Sequence, residues 1–269
     1  MKPFLKWAGG KHSQLPQILN VLPRGKRLIE PFVGAGSVFM NAGFDKVIIN
    51  DLNPDLINLY NILKHQGARL LQEADLLCQW CNSEERYYQI LDRLNSREYT
   101  DYSQAAFFLV LNRTGFNGMC RYNQDKMFNV PWGKKPKAYF PRAEITEYLD
   151  SGIKPEMFCN DFALIMQMAK EDDVIFCDPP YQPMPGKDGF TTYSGKKFTF
   201  TDQTRLVNVA LDRKEKHGVK TVITNSSAPR IIDLYQKSGF DIYPLSARRS
   251  VAANGDSRGE VQDIIAVLK

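Results

Sequence analysis

Histidine and cysteine are scarce in this chain. Of 269 residues, three are His and five are Cys. His12, His65 and His217 lie far apart with no paired spacing, so four converging metal ligands are not available and no metal is expected. The cysteines, Cys78, Cys81, Cys120, Cys159 and Cys177, are odd in number and scattered, which suits reduced thiols in a cytosolic protein rather than a disulfide framework. Cys78-Gln79-Trp80-Cys81 has the spacing of half a zinc site, but with no second half it reads as two small residues on a helix. Long apolar runs are also missing. No window approaches the roughly 20 residues of a membrane span, and the charged start Met1-Lys2-Pro3-Phe4-Leu5-Lys6-Trp7 has no signal-peptide core. Secretion and membrane insertion are therefore not expected. Nor is either familiar phosphate loop present. Gly9-Gly10-Lys11-His12 has Leu5 where a first glycine is needed and no Ser or Thr after the lysine.

What is present begins with charge. The net excess is only +5, with 35 basic and 30 acidic residues, but it is concentrated in one segment. From 113 to 142 stand seven basic residues, Arg113, Arg121, Lys126, Lys134, Lys135, Lys137 and Arg142, against the single acid Asp125. Phe116, Tyr122, Phe128, Trp132, Tyr139 and Phe140 are interleaved with turn-forming Gly115, Asn117, Gly118, Pro131 and Gly133. Cations can neutralise phosphates while aromatic rings stack on bases or part them. The competing reading is a solvated loop with a small core of its own.

Hydrophobicity of 43% and charge of 24% describe one or two globular domains. Short apolar runs alternate with helical segments, which predicts a mostly parallel α/β sheet. Seven strands are expected, at 27–30, 47–50, 157–159, 174–177, 221–224, 240–243 and 261–268, the last after the turn-rich Ala253-Asn254-Gly255-Asp256. Helices are expected at 56–64, at 103–112 and from about 202 to 217, the last with Thr201 as N-cap and Gly218 as its stop. The roughly 100 residues between the second and third strands exceed an ordinary crossover and read as an insertion or small second domain.

Two strand ends carry chemistry. The first strand runs into Pro31-Phe32-Val33-Gly34-Ala35-Gly36, where two glycines let backbone approach a ligand, and Ser37 opens a short expected helix. The second strand ends in Asp51, seventeen residues after Gly34, placed to accept hydrogen bonds from both hydroxyls of a ribose. The spacing suits a nucleoside-binding crevice, while the lack of a third glycine argues against a dinucleotide. The fourth strand ends in Asp178-Pro179-Pro180-Tyr181. Consecutive prolines remove two backbone donors and hold Asp178 extended, so the turn is a platform of acceptors. A carboxylate beside the Pro179 carbonyl suits a planar amine, with the Tyr181 ring stacking on the attached π-system.

Four motifs occur in one order: Phe4-Leu5-Lys6-Trp7-Ala8-Gly9-Gly10-Lys11, Glu30-Pro31-Phe32-Val33-Gly34-Ala35-Gly36-Ser37, Leu111-Asn112-Arg113-Thr114-Gly115-Phe116-Asn117-Gly118-Met119-Cys120-Arg121-Tyr122-Asn123, and Asp178-Pro179-Pro180-Tyr181. Together they resemble the Dam-type DNA adenine methyltransferases over nearly the whole chain. The resemblance implies a Rossmann-like methyltransferase fold with a mostly parallel seven-stranded sheet. Residues 1–54 and 145–269 would form the S-adenosylmethionine-binding catalytic domain, and 55–144 an inserted helical target-recognition domain with a hairpin.

It further implies that Trp7, Lys11, Phe32, Gly34, Gly36, Asp51, Phe162 and Asp178 hold S-adenosylmethionine. Trp7 and Lys11 would close over it, Phe32 would lie near the sulfonium, and Asp161-Phe162 would cradle the adenine. Asp178, Pro179 and Tyr181 would act on the N6 amine of an adenine flipped from double-stranded DNA, typically in GATC. Lys6, Phe116, Asn117, Arg121 and Pro131 would contact DNA, with Arg121 reading guanine and Phe116 and Asn117 entering the base stack. A monomer in the cytoplasm, associated with the nucleoid through DNA, is expected. The chain departs from the family pattern at Phe116, where tyrosine is common, and at Lys134-Lys135, where an expected tyrosine is missing, which leaves its stringency for GATC open. Methylation of RNA adenine or protein glutamine uses similar acceptors, though glutamine enzymes usually carry Asn before the two prolines. A DNA-binding relative without catalysis is disfavoured by Lys11, Asp51, Asp178 and Tyr181 all being present.

Overall fold

A computed structural model describes residues 1–185, 192–193, 196–245 and 263–269. The strands are β1 (Arg27–Glu30), β2 (Lys46–Asn50), β3 (Glu156–Phe158), β4 (Asp173–Cys177), β5 (Thr192–Tyr193), β6 (Lys196–Lys197), β7 (Lys220–Ser226), β8 (Asp241–Leu245) and β9 (Asp263–Leu268). Seven of them form one sheet in the order β3-β2-β1-β4-β7-β9-β8, and β5 pairs with β6 in a separate antiparallel ribbon. Pairing is parallel from β3 to β7, while β9 runs antiparallel to both β7 and β8. This is the mixed, mostly parallel seven-stranded sheet expected from the sequence. The expected turn at 253–256, with residues 261 and 262 of the last strand, lies outside the described residues.

Register and side-chain alternation divide the core in two. Leu28 aligns with Val47 and Val174, and Ile29 aligns with Ile48 and Ile175. The period of two sends the first set to one face and the second to the other. One face packs under α1 (Leu15–Val21), α2 (Pro54–Trp80), α4 (Asp101–Thr114) and α5 (Arg142–Asp150), where Ile18, Leu63, Phe108 and Ile145 join Leu28 and Val174. The other packs under α6 (Phe162–Met166), α7 (Phe200–His217) and α8 (Pro229–Lys237), with Ile165, Leu206 and Ile231 against Ile29 and Ile175. Burying each such side chain contributes about 1.5–3 kcal/mol.

Between β2 and β3 run α2, α3 (Glu84–Ser96), α4 and α5. The helix expected at 56–64 begins at Pro54, because the Asn53 side chain accepts from the backbone N–H groups of Asp55 and Leu56. It continues to Trp80 across a kink at Gln66, with Leu70, Ala74 and Cys78 extending its buried stripe. Tyr60 of α2 packs edge-on against Phe4, Phe39 and Tyr148, so these helices share a core with the sheet. Cys78 and Cys81 are buried at the end of α2; burial pushes the Cys78 thiol up to about 11, and the Cys81 thiol donates to the Thr114 hydroxyl.

Two local expectations are corrected. The N-cap of α7 is Thr199, not Thr201, because Thr199 and Asp202 form a reciprocal capping box; Gly218 ends the helix in the left-handed conformation as expected. Ser37 opens a run of turns rather than a helix, and the Asn41 side chain ties that run together by donating to the Ser37 carbonyl.

Candidate active site

The strand order reverses between β1 and β4, which leaves a crevice beyond their carboxyl ends. A cavity of about 770 Å³ opens there. It is lined by Trp7, Lys11, Phe32, Gly34, Gly36, Asp51, Phe162, Asp178, Pro179 and Tyr181, so every residue expected to hold the methyl donor or act on the amine meets in one cleft.

At one wall Asp51 accepts from the Gly34 N–H at 3.2 Å and the Asn53 N–H at 3.0 Å. Desolvation by the cleft walls outweighs these bonds and raises the Asp51 carboxyl to about 6. Gly34 has φ +47°, and a Cβ there would lie 2.9 Å from the Trp7 indole nitrogen, so only glycine admits both this turn and the ring against it. Tyr60 fixes the same loop by donating to the Gly34 carbonyl at 3.1 Å.

Farther along, Phe32, Phe162 and Phe198 form an aromatic cluster, with Phe32 centred 5.3 Å from Phe162 and 5.7 Å from Phe198. Phe32 is thus part of the same wall as Phe162. The Arg205 guanidinium sits 4.3 Å over the Phe162 ring and donates to both oxygens of Asp161, at 3.1 and 2.8 Å. Asp161 also caps α6 through the Ala163 N–H.

At the opposite end Asp178 is held from two sides. The Thr224 hydroxyl donates to Oδ1 at 2.6 Å, and the Lys11 ammonium lies 2.7 Å from Oδ2 and 4.8 Å from the centre of the Tyr181 ring. Glu30, 2% exposed, has its carboxyl pushed well up by burial and then by the charge of Asp178. Among the described residues, one Glu30 oxygen and the Ser37 hydroxyl are buried without partners, and both residues line the cleft. Each is a polar atom left over by the fold at the wall of the cleft, which is the kind of position a bound polar group satisfies.

The five residues expected at DNA lie on and around the loop that follows α4. Gly115 bridges to Trp132 and Tyr122 to Phe128, both antiparallel, and the Phe116 N–H donates to the Pro131 carbonyl at 2.9 Å. Phe116 is 49% exposed at the tip, Asn117 is left-handed with φ +52°, and Pro131 is exposed. The exposed Arg121 is held in place by Asn129, donating to its side-chain oxygen at 2.9 Å and its carbonyl at 2.8 Å. Lys6 joins this group through wholly buried Asn112, whose amide accepts from the Lys6 N–H at 3.0 Å and donates to its carbonyl at 2.8 Å. Burial, with the Lys135 ammonium alongside and Arg113 nearby, lowers Lys6 to about 8.

Not all of the basic aromatic segment faces outward. Arg113 is 7% exposed and donates to the carbonyls of Tyr139 and Phe4. Phe128 is buried against Phe108 and Tyr122, and the Tyr122 hydroxyl donates to Asp55 at 2.7 Å. The segment is both a cationic surface and a small core. The sequence reading missed Thr224, Asn129, Asn112, Phe198 and Arg205: Asn112 stands in a quoted motif with no sign of its partner, Asn129 reaches Arg121 across eight residues of one loop, and the other three act on residues distant in the chain.

Comparison with known proteins agrees with this geometry. The family model for the D12 class N6 adenine-specific DNA methyltransferases matches residues 7–251. The chain is 48% identical over 267 residues to the DNA N-6-adenine-methyltransferase of Escherichia phage P1, covering 99% of this chain but 35% of that protein, about a third of its length. It is 39% identical to the DNA adenine methylase of Escherichia coli K12 over 269 residues, with 100% of this chain and 95% of that one covered. The DNA adenine methylase of Vibrio cholerae is 37% identical over 271 residues, covering 99% and 96%. With three of its four motifs lining one cleft and the whole chain matched, the chain belongs to the D12 class of N6 adenine-specific DNA methyltransferases.

Proposed function

We propose that this protein transfers the methyl group of S-adenosylmethionine to N6 of an adenine flipped out of double-stranded DNA, within GATC. The observation that carries the reading is the oriented carboxylate of Asp178 beside Pro179, at the head of a cleft that also holds Asp51 and Gly34. Residues 55–144 serve as the target-recognition part, and 1–54 with 145–269 as the catalytic part. Cleft and recognition loop belong to one chain, so a monomer suffices; its place of action is the cytoplasm, on the chromosome.

When bound, the donor supplies an electrophilic methyl on a sulfonium. Asp51 would accept the ribose hydroxyls, the Phe32–Phe162 wall would take the adenine, and Trp7 and Lys11 would border the methionyl end. The target amine is a weak nucleophile because its lone pair is delocalised into the ring. Asp178 and the Pro179 carbonyl accept its two hydrogens and favour the geometry in which that lone pair points at the methyl. Neither proline has an N–H that could compete. As the N6–C bond forms and the S–C bond breaks, positive charge grows on N6, and the Asp178 carboxylate stabilises it. The proton then leaves N6 for water. Tyr181 stacks on the flipped base, and holding both reactants in line supplies much of the remaining acceleration.

On the DNA side, the exposed cations neutralise phosphates, Arg121 offers its planar fork to guanine, and Phe116 with Asn117 fills the space left by the base. Pro131 touches a thymine methyl. Incubating the protein and S-adenosylmethionine with unmethylated DNA, then mapping modified adenines by sequencing, tests the reading. Methylation confined to GATC supports it in full. Methylation at related sites as well removes the strict GATC assignment, and no methylated adenine overturns it.

A further inference from the structure

Below the Asp178–Tyr181 turn lies a polar network that the reaction as described does not use. Gln203 of α7 is 1% exposed and Asn225 of β7 is wholly buried. Gln203 Nε2 donates to the Pro180 carbonyl at 2.9 Å. Asn225 Nδ2 donates to Gln203 Oε1 and to the Tyr235 hydroxyl of α8, both at 3.0 Å. Asn225 Oδ1 accepts from the N–H groups of Gln182 at 3.1 Å and Ser226 at 2.9 Å.

The chemistry at both ends fixes the direction of this relay. A proline carbonyl can only accept, so Gln203 must present its NH2 to Pro180 and its oxygen to Asn225. A backbone N–H can only donate, so Asn225 must present its oxygen to Gln182 and its NH2 to Gln203. The two requirements agree, and all four hydrogen-bonding positions of the Asn225 amide are filled. Fully satisfied buried networks are rigid, and partly satisfied ones are costly. The adjacent residues of β7 grip the same turn: Thr224 donates to Asp178, and Ser226 donates to the Gln182 carbonyl. Three consecutive residues of one strand and a glutamine from a neighbouring helix thus hold the chain from Asp178 to Gln182, and of the four only Ser226 lines the cleft.

We infer that Gln203, acting with Asn225, is a positioning residue for methyl transfer: its amide engages the Pro180 carbonyl and so fixes the height and tilt of the Asp178–Pro179 acceptor pair. The inference rests on the proposed reaction and adds residues that touch neither base nor donor. A two-proline turn cannot be braced through its own N–H groups, so it has to be braced through carbonyls, and Gln203 supplies that donor.

The test is the pH dependence of kcat in Gln203→Glu and Gln203→Leu, measured beside the wild type, with donor KM and melting temperature recorded for each. In Gln203→Glu the introduced carboxylate repels the Pro180 carbonyl when ionised but can donate to it when protonated. Its buried setting raises its pKa toward neutrality. Facing the relay are Tyr235, Cys177 and Tyr181, all held neutral because burial raises them, and Asp178 on the turn itself, so recovery in Gln203→Glu that is absent from Gln203→Leu reads the introduced group. The expected result is a kcat roughly tenfold to a hundredfold below wild type at about pH 8.5, recovering toward wild type at about pH 6. Gln203→Leu is expected to be low at every pH, with donor KM within about twofold of wild type in both variants. Wild-type kcat in both variants, or an equal loss in both with no recovery at low pH, overturns the inference. Absence of adenine methylation by the wild type overturns the proposed reaction and this inference with it.

Discussion

The Lys11 ammonium lies 2.7 Å from Asp178 Oδ2, joining the N-terminal motif to the proline turn after β4. Lys11 is 6% exposed, so the contact is shielded from solvent. Among the described residues, Thr224 donates to one Asp178 oxygen and Lys11 meets the other, and a carboxylate so held keeps lone pairs for an incoming amine. Asp178→Ala is expected to remove detectable methyl transfer while DNA affinity stays within about threefold, because the cations proposed to meet phosphates lie elsewhere. Lys11→Met is expected to lower kcat roughly a hundredfold by freeing the carboxylate to reorient. Steady-state kinetics with a filter-binding assay of DNA checks both; near-normal turnover in Asp178→Ala would remove that residue from the chemistry.

If Asp51 takes the donor's ribose as proposed, donor binding is expected to depend on pH. Its carboxyl sits at about 6 in the free protein, and accepting two ribose hydroxyls favours the ionised form, which lowers that value in the complex. Affinity for S-adenosylmethionine should therefore rise with pH up to about 6 and level off above it, since protonation costs the carboxylate one acceptor. Calorimetry between about pH 5 and 8 reads this directly, and Asp51→Asn should flatten the curve and weaken binding.

Arg121 is held by Asn129 before any base arrives. Arg121→Ala should cost about 1–3 kcal/mol of discrimination at one guanine. Asn129→Ala should cost about 0.5–1.5 kcal/mol at the same position and leave the others alone, because it removes orientation and not the contact. Competition binding with single-base variants of the site measures both. Equal losses at every position would assign Arg121 to phosphate.

Gly34→Ala places a Cβ 2.9 Å from the Trp7 indole nitrogen in a residue with φ +47°. The backbone penalty of about 1–2 kcal/mol should lower the melting temperature by about 2–8 °C. Displacing Trp7 and the Asp51-bound N–H should weaken donor binding beyond that. A thermal scan with and without S-adenosylmethionine separates the two effects: a ligand-induced shift as large as that of the wild type would show that Gly34 serves the turn alone.

Sequence alone determined which atoms are available for chemistry and roughly where along the chain they come. Short continuous apolar runs such as 174–177 mark strands because a sheet covered by helices buries both of its faces, and the two prolines after Asp178 restrict their own turn whatever surrounds it. Asp51 and the Gly34–Gly36 turn were legible for the same reason: their constraints are local. Lys11 beside Asp178, Asn112 on Lys6 and Gln203 beneath Pro180 were not legible, because each contact closes only when distant elements pack, and Asn129 on Arg121 was not, because an irregular loop has no period that pairs its residues. Nor did composition separate the outward cations from Arg113, whose guanidinium is spent on the carbonyls of Tyr139 and Phe4. Residue type and local spacing set the possible donors and acceptors; tertiary packing chose their partners, because burial in a shared core leaves each polar group only the partners within reach.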